Sequence, residues 1–500
     1  MTSSSFLPDA AEMRSYDACT IAGGISTHTL MERAGRGCAE YLIAKEKKFS
    51  KRSHIVICCG PGNNGGDGLV IARILLKRHY NVITIRTDKN QLYLMSEKQH
   101  PKKLSKAEAS AFLMQSNIII DALLGTGQTA APRAAIKTLT ELIQKSNKAK
   151  DKFVIAIDIP TGIDCSTGTV FTPHIDADLT LTIQFRKRGM AQFPGKAACG
   201  RQVIIPIGIT AQAPSLFSSF TPQRDAIFPK RLTYSHKGTY GSVLVIGGSR
   251  NMPGAPKLAA HAALRAGAGT VTQVVLNRSE EDTPPEIMLL HVASKHGLFQ
   301  PSHLTTLRSA IEKSSAVILG PGLSTNIQTK EFVRKTVRLL DHTLTPVVID
   351  ADALNALAPL KRSLSLKHSV CTPHPGEAAR LLGTTTKAIE ADRYAAALTL
   401  AKKTGGIIVL KGASTIIASA TGGLVHEHAS PYLATAGSGD VLSGIIGSLL
   451  AQGLTPFQAA ATGVYIHAQA GIAAVKKIAG PIIASDITAQ LPGVIGIHQE

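Results

Sequence analysis

Tryptophan is missing from this chain, and aromatic residues make up only 4% of its 500 positions. No aromatic strand of the type that stacks nucleobases, no zinc-finger spacing and no basic repeat is found, so no nucleic-acid partner is expected. Acidic residues are also scarce: 34 Asp and Glu against 54 Lys and Arg leave a formal charge of +20. The cations fall in short scattered groups such as Lys45, Lys47, Lys48, Lys51 and Arg52, a pattern of solvated surface whose field suits an anionic nucleotide. Nowhere do eighteen apolar residues follow one another, which argues against a membrane-spanning helix and a membrane partner. The opening MTSSSFLPDA carries neither the basic nor the apolar region of a secretory signal. The seven cysteines (19, 38, 58, 59, 165, 199 and 371) contain no CxxC pair, and the expectation is reduced, buried thiols in a cytoplasmic protein.

What is present is an apolar content of 44% and a length that, at ~150 residues per domain, implies two to four domains. Residues 10–43 read as helix, covering a sheet or forming an oligomer face. The run HIVICCG (54–60) has strand length and leads through GPGNNGGDG into LVIARILLKR, the order of a phosphate-binding βα unit. Gly60, Gly62 and Gly65 satisfy GxGxxG, with Asp88 past the next strand. The loop is richer than that fingerprint needs, because Asn63, Asn64 and Asp67 add side-chain donors and acceptors; it grips something polar beyond a phosphate. Strands 117–121 and 153–158 end in ALLGTG and IPTGID. The carboxyl ends of neighbouring parallel strands share one crevice in a doubly wound sheet. There Asn64, Asp121 and Thr161 could meet as hard oxygen ligands for an alkali or alkaline-earth cation. Asp158 closes an apolar strand and is a candidate acid/base, the alternative being an Asp that only fixes its own turn.

Past the strand at 203–207, residues 210–224 are rich in Ser, Pro and Ala without periodicity and read as a linker. The second half repeats the alternation. SHKGTYGSVLVIGGS precedes the helix GAPKLAAHAALRAGAG, and strands follow at 316–319, 347–350, 370–372 and 407–410, again a parallel α/β sheet. Lys411 in KGAST can reach phosphate. His374 and Glu377 of HPGE are either a polar pair over a substrate, with Glu377 reaching metal-bound water, or a helix cap. Thr455 and Pro456 open what reads as the last helix. The most informative stretch is ATAGSGDVLSGIIGSLLAQG (434–453), where a glycine turn runs into a helix whose Leu442, Ile445, Ile446, Leu449 and Leu450 form one buried stripe. Its first N–H groups suit a phosphate. Asp440 beside them is a base for a nearby hydroxyl or a cap.

Taken in order, LMERAG, GNNGGDG, DALLGTG, DIPTG, HKGTYG, GPGL, DADALNAL, TPHPGEAARLLG, LKGAST and GSGD resemble the motifs of the bifunctional NAD(P)H-hydrate repair enzymes over nearly the whole chain. The resemblance implies a Rossmann-like doubly wound epimerase domain (1–209), the linker 210–224, and a ribokinase-like α/β dehydratase domain (225–500). It implies that the first domain equilibrates R and S hydrates of NADH and NADPH, and that the second uses ADP with Mg2+ to dehydrate the S epimer, releasing AMP and phosphate. Epimerase substrate positions are then Asn63, Asn64, Gly65, Gly66, Asp67, Gly125, Thr126, Gly127, Gln128, Thr129, Ala130, Ala131 and Asp158. Potassium ligands are Asn64, Asp121 and Thr161, the last where the family has Ser. Lys187, a frequent lysine position, is expected to face phosphate. Hydrate-binding positions in the second domain are Ala255, Gly322, His374 and Asp440. AMP is held by Lys411, Gly412, Ala413, Ser414, Thr415 and Gly439. Asp440 and Asp158 are the expected catalytic groups, in a cytoplasmic homo-oligomer. The alternatives are a ribokinase-like small-molecule kinase with an accessory nucleotide-binding domain, and a binding module.

Overall fold

The computed structural model describes residues 5–88, 90–95, 100–149, 152–211, 213–277 and 283–497. The chain divides into two compact units, Met1–Ser218 and Ser219–Glu500. Within the expected linker, residue 212 lies outside the described residues, Phe217–Ser219 is a short strand and Pro222–Asp225 a single helical turn.

In the first unit, six parallel strands run in the order Asn81–Asp88, His54–Cys59, Ile118–Ala122, Phe153–Ile157, Leu179–Ile183 and Arg201–Ile205. Gln91–Met95 and Lys102–Leu104 extend the sheet antiparallel beyond Asn81–Asp88, an addition the sequence pattern does not announce. The central strands are apolar on both faces because both are covered. Alternate side chains point to opposite sides. Ile55, Ile57, Ile118 and Ile120 pack with Ala34, Cys38, Ile71 and Leu75, whereas Val56, Cys58, Ile119 and Val154 pack with Ala109, Leu113, Leu139 and Ile143. These partners lie on the helices Thr27–Lys45 and Asn63–Lys77 for one face, and Lys106–Gln115 and Ala134–Ala149 for the other. The sheet is doubly wound, and Thr27–Lys45 is a covering helix.

The glycine loop is shorter than expected, because Asn63 already begins the helix and Gly62 is its N-cap. The reason is close packing. A Cβ on Gly65 would lie 1.9 Å from the Gly60 carbonyl oxygen, and one on Gly60 1.8 Å from that of Leu123. Six of the seven cysteines are buried and all are free.

The second unit is built on a parallel sheet in the order Met288–Val292, Thr270–Leu276, Ser242–Ile246, Ala316–Leu319, Val347–Ile349, Ser369–Cys371 and Ile407–Leu410, continued antiparallel by Thr415–Ser419 and Gly422–His426. The helix Ser438–Ala451 is buried on every side, not along one stripe. Its small residues admit the neighbours. A Cβ on Gly444 would meet the Ala259 carbonyl oxygen at 2.3 Å, and one on Gly447 the Ile318 side chain at 2.6 Å. Thr455 and Pro456 do open a helix, Pro456–Ile478, with a Thr455–Gln458 capping box, but Ala484–Gly496 follows it as the last. Among the described residues no helix is long and apolar enough to cross a membrane.

Candidate active sites

At the carboxyl ends of the first unit's strands lies a cavity of about 460 Å³. Asn63, Asn64, Asp67, Gly125, Thr126, Gly127 and Asp158 line it, together with Asp17 from the helix Ala10–Ala22. Gly65 and Gly66 turn instead toward Gly60 and Met31. Gln128 braces the loop, accepting from Gly162 N at 2.6 Å and donating to Gly125 O at 3.2 Å. Thr129, Ala130 and Ala131 are exposed and do not line the cavity.

Asp158 ends its strand at φ 67°, a left-handed conformation that Asp tolerates better than most residues. Its carboxylate accepts from the ammonium of Lys187, which is fully buried and also donates to Thr182 Oγ1 (2.8 Å) and Ile183 O (3.1 Å). Lys187 therefore does not face phosphate as expected: a buried ammonium needs a counter-charge, and Asp158 is it. Burial, reinforced by the charge of Asp158, pushes Asp67 up to about 8 and Asp17 up to about 6.

Asp121 is fully buried and accepts from Thr161 N (2.7 Å), Thr161 Oγ1 (2.8 Å) and Leu123 N (3.1 Å). Burial raises its pKa to about 6. Thr161 Oγ1 also accepts from Leu124 N, while Asn64 Nδ2 donates to Leu124 O. The other amide atom, Asn64 Oδ1, is buried with no partner among the described residues. An orphaned acceptor close in the chain fold to an unneutralised buried carboxylate, with oxygen donors alone, fits a hard monovalent cation.

In the second unit Asp350, at the end of the strand Val347–Ile349, is the centre of the charged network. Its carboxylate accepts from Lys411 Nζ (3.0 Å) and Ser443 Oγ (2.6 Å). Burial works against its charge, but Lys411 and Ser443 outweigh that and hold it below the usual carboxylate range. Glu377 lies 3.8 Å from Lys411. His374 and Glu377 cap the helix Pro375–Leu382: His374 N donates to Glu377 at 2.8 Å, and Gly376 N donates to His374 Nδ1 at 3.0 Å. Asp440 does not cap its helix. The N-cap is Gly437, at φ 81°, with no side-chain bond to the first turn. Burial, then the nearby Asp350, pushes Asp440 up to about 7. Gly439 stands beside Lys411, whose Nζ would be 3.3 Å from a Cβ there, and Gly322 lies against Ala255.

Residues 243–492 match the family model described as NAD(P)H-hydrate dehydratase, and residues 27–189 the one described as YjeF-related protein N-terminus. The bifunctional NAD(P)H-hydrate repair enzyme of Moorella thermoacetica is 36% identical over 98% of this chain and 96% of its own length. The chain belongs to the bifunctional NAD(P)H-hydrate repair enzymes. A second relative of that name, from Coxiella burnetii, is 34% identical over 93% of this chain and 94% of its own. A ribokinase-like superfamily protein from Enterococcus faecalis, 23% identical, covers 58% of this chain and 100% of its own with a TM-score of 0.50, which shows the fold.

Several residues that build the sites of this repair enzyme are given no role by its motifs, among them Asp350, which opens DADALNAL. Asp350 meets partners 61 and 93 residues away. Arg393 holds the 411–414 loop by donating to the carbonyls of Leu410, Lys411 and Ser414. His467 Nε2 contacts Ser438 Oγ (3.1 Å) and O (3.0 Å), pinning the first turn before Asp440. Only Asp350, as an acid at a strand end, carried a local signal.

Proposed function

We propose that the first unit interconverts the R and S hydrates of NADH and NADPH, and that the second dehydrates the S epimer at the expense of ADP. The observation that carries the second half is Asp440, half-buried at an uncapped helix N-terminus within the charged network of Asp350, Lys411 and Glu377. A base whose pKa lies near the working pH suits this step. Asp440 takes the proton of the ring hydroxyl as its oxygen attacks the β-phosphorus of ADP, and the bond to AMP breaks. The amides of Gly439 and Asp440, which follow a Ser438 amide already bonded to Thr435 O, and the Lys411 ammonium receive the charge on the transferred group. Phosphate then leaves the ring with a proton from the adjacent carbon, restoring the double bond. Glu377 would face a magnesium ion brought with ADP, which would supply neutralising charge there.

In the first unit the hydroxyl must leave one face of the ring carbon and water return to the other. Asp67, which burial keeps protonated near neutral pH, gives its proton to the departing hydroxyl, and Asp158, ion-paired to Lys187, takes the proton of the returning water. Asn64, Asp121 and Thr161 would hold a potassium ion, which would supply a fixed positive charge to the site. A cytoplasmic homo-oligomer remains the expected setting, and the free cysteines support a reducing compartment.

The test is to supply mixed NADH hydrates with ADP and Mg2+ and follow the return of the reduced-nicotinamide absorbance. Both epimers are expected to be consumed, and AMP released in equal amount. Asp440→Asn should lower dehydration by about 10²- to 10⁴-fold while leaving AMP binding and epimerisation in place. A kinase would consume nucleotide without restoring the absorbance, and that result would sink the proposal.

A further inference from the structure

The second unit contains a larger cavity, of about 830 Å³, that the charged network around Asp440 does not use. It opens where the strands Ser242–Ile246 and Thr270–Leu276 end. Its rim is tied together: Asn277 Nδ2 donates to Ser294 O (2.7 Å), Ser294 N donates back to Asn277 Oδ1 (2.8 Å), and Arg250 N donates to Gly297 O (3.1 Å). Arg250, Lys257, Lys295 and His296 line it, with no acidic side chain among the described lining residues. Among the described residues, two buried polar atoms on its wall, Ser249 Oγ and Gln273 Oε1, have no hydrogen-bond partner. Ser249 is 8% and Gln273 4% exposed. Leaving such atoms unbonded costs about 1–3 kcal/mol each, so they mark a place where a ligand completes the bonding. The helix Gly254–Arg265 also begins here without a side-chain cap, and its first residues line the cavity.

Position decides which ligand. The same helix carries Ala255 against Gly322, and its Leu258 packs on Gly437, next to Asp440. In the sheet, Thr270–Leu276 is three strands from Val347–Ile349 and Asp350 on one side, while Ile407–Leu410 and Lys411 lie two strands away on the other. At ~4.8 Å per strand the cavity is ~14 Å from the reacting groups. A dinucleotide spans that distance, and on the reading above the phosphoryl donor would sit on the opposite flank, beside Lys411.

We propose that this cavity holds the diphosphate and second ribonucleoside of the hydrated dinucleotide, with Arg250, Lys257 and Lys295 facing its phosphates and Gln273 Oε1 accepting from a ribose hydroxyl. The inference rests on the reading that this unit dehydrates such a substrate. It assigns binding of the non-reacting arm to Arg250, Gln273 and Lys295, which lie outside every motif read from the sequence, and to Lys257 on the helix Gly254–Arg265.

The experiment is steady-state dehydration by the full-length protein at saturating ADP and Mg2+, with NADH hydrate and NADPH hydrate, for wild type, Arg250→Ala, Lys295→Ala and Gln273→Leu. Each variant is expected to raise the KM for hydrate by roughly 5- to 50-fold, with kcat and the KM for ADP within twofold of wild type. Adenosine 2′,5′-bisphosphate should compete with hydrate and not with ADP, and lose affinity in the two cationic variants. Epimerase activity of the same preparations reports folding of the chain, and a thermal melt with AMP reports folding of the second unit. A raised KM for ADP would assign the cavity to the nucleotide and overturn the inference, as would unchanged constants in all three variants. If wild type itself fails to restore absorbance, the dehydratase reading falls instead.

Discussion

On the proposed mechanism Asp158 serves chemistry and stability together. It is the counter-charge of Lys187, which has no exposure to solvent. Removing a single member of a buried ion pair strands the other charge at a cost of about 3–5 kcal/mol. Asp158→Asn, which keeps a residue tolerant of the left-handed backbone, is therefore expected to lose both epimerisation and that much stability. Adding Lys187→Met should restore most of the stability, read by denaturant unfolding, and none of the activity. Recovery of activity would remove Asp158 from the chemistry. In the second unit the raised Asp440 sets a pH dependence. A base with a pKa of about 7 is competent above that value and is lost as pH falls below it, so kcat/KM for dehydration should have an acid limb near pH 7. Asp350 is one of the charges that raise Asp440, so Asp350→Asn should move the limb to lower pH. A limb that stays put would mean that Asp440 is not the titrating base.

Helix Ser438–Ala451 carries the element-scale argument, since it presents Asp440 and must sit close to its neighbours to do so. Gly444 lets it approach the helix Gly254–Arg265, which bears Ala255 and forms part of the large cavity's wall. Gly444→Val would force the two helices apart, at ~1–3 kcal/mol or more for overpacking. Its expected result is a lower melting temperature for the dehydratase unit and a fall in dehydration larger than the loss of folded protein, with epimerisation retained. The strands were legible because burial on both faces makes them short apolar runs, as in HIVICC, followed at once by Gly60, and IIIDA, followed two leucines later by Gly125. The helix Ala484–Gly496 was not legible. It contains Pro492 and follows a stretch already read as the chain's last element. Site residues were legible where they sit in a contiguous motif, as Asn64 and Asp440 do. They were hidden where the partner is remote, as for Lys187 with Asp158, 29 positions apart, or Asp350 with Ser443, 93 apart.

At the scale of the whole molecule, each unit has a hydrophobic core of its own, one around Ile57, Ile120 and Ile155, the other around Val245, Ile318 and Ile446. Heating is therefore expected to give two transitions rather than one, so a single unfolding free energy does not describe the chain. The two proposed ligands supply a way to assign them. A ligand that binds only the folded form at a hundred times its Kd adds about 2.7 kcal/mol, and for a domain of this size each kcal/mol raises Tm by about 2–4 °C. Potassium should thus raise one transition by roughly 5–10 °C, and AMP with Mg2+ the other. Sodium at equal ionic strength separates specific binding from screening. Asn64→Ala removes the buried oxygen that lacks a protein partner, and it should abolish the potassium response while leaving the AMP response intact. If potassium and sodium act alike on the native protein, the oxygen cluster of Asn64, Asp121 and Thr161 is not a cation site, and the buried charge of Asp121 is balanced by its hydrogen bonds alone.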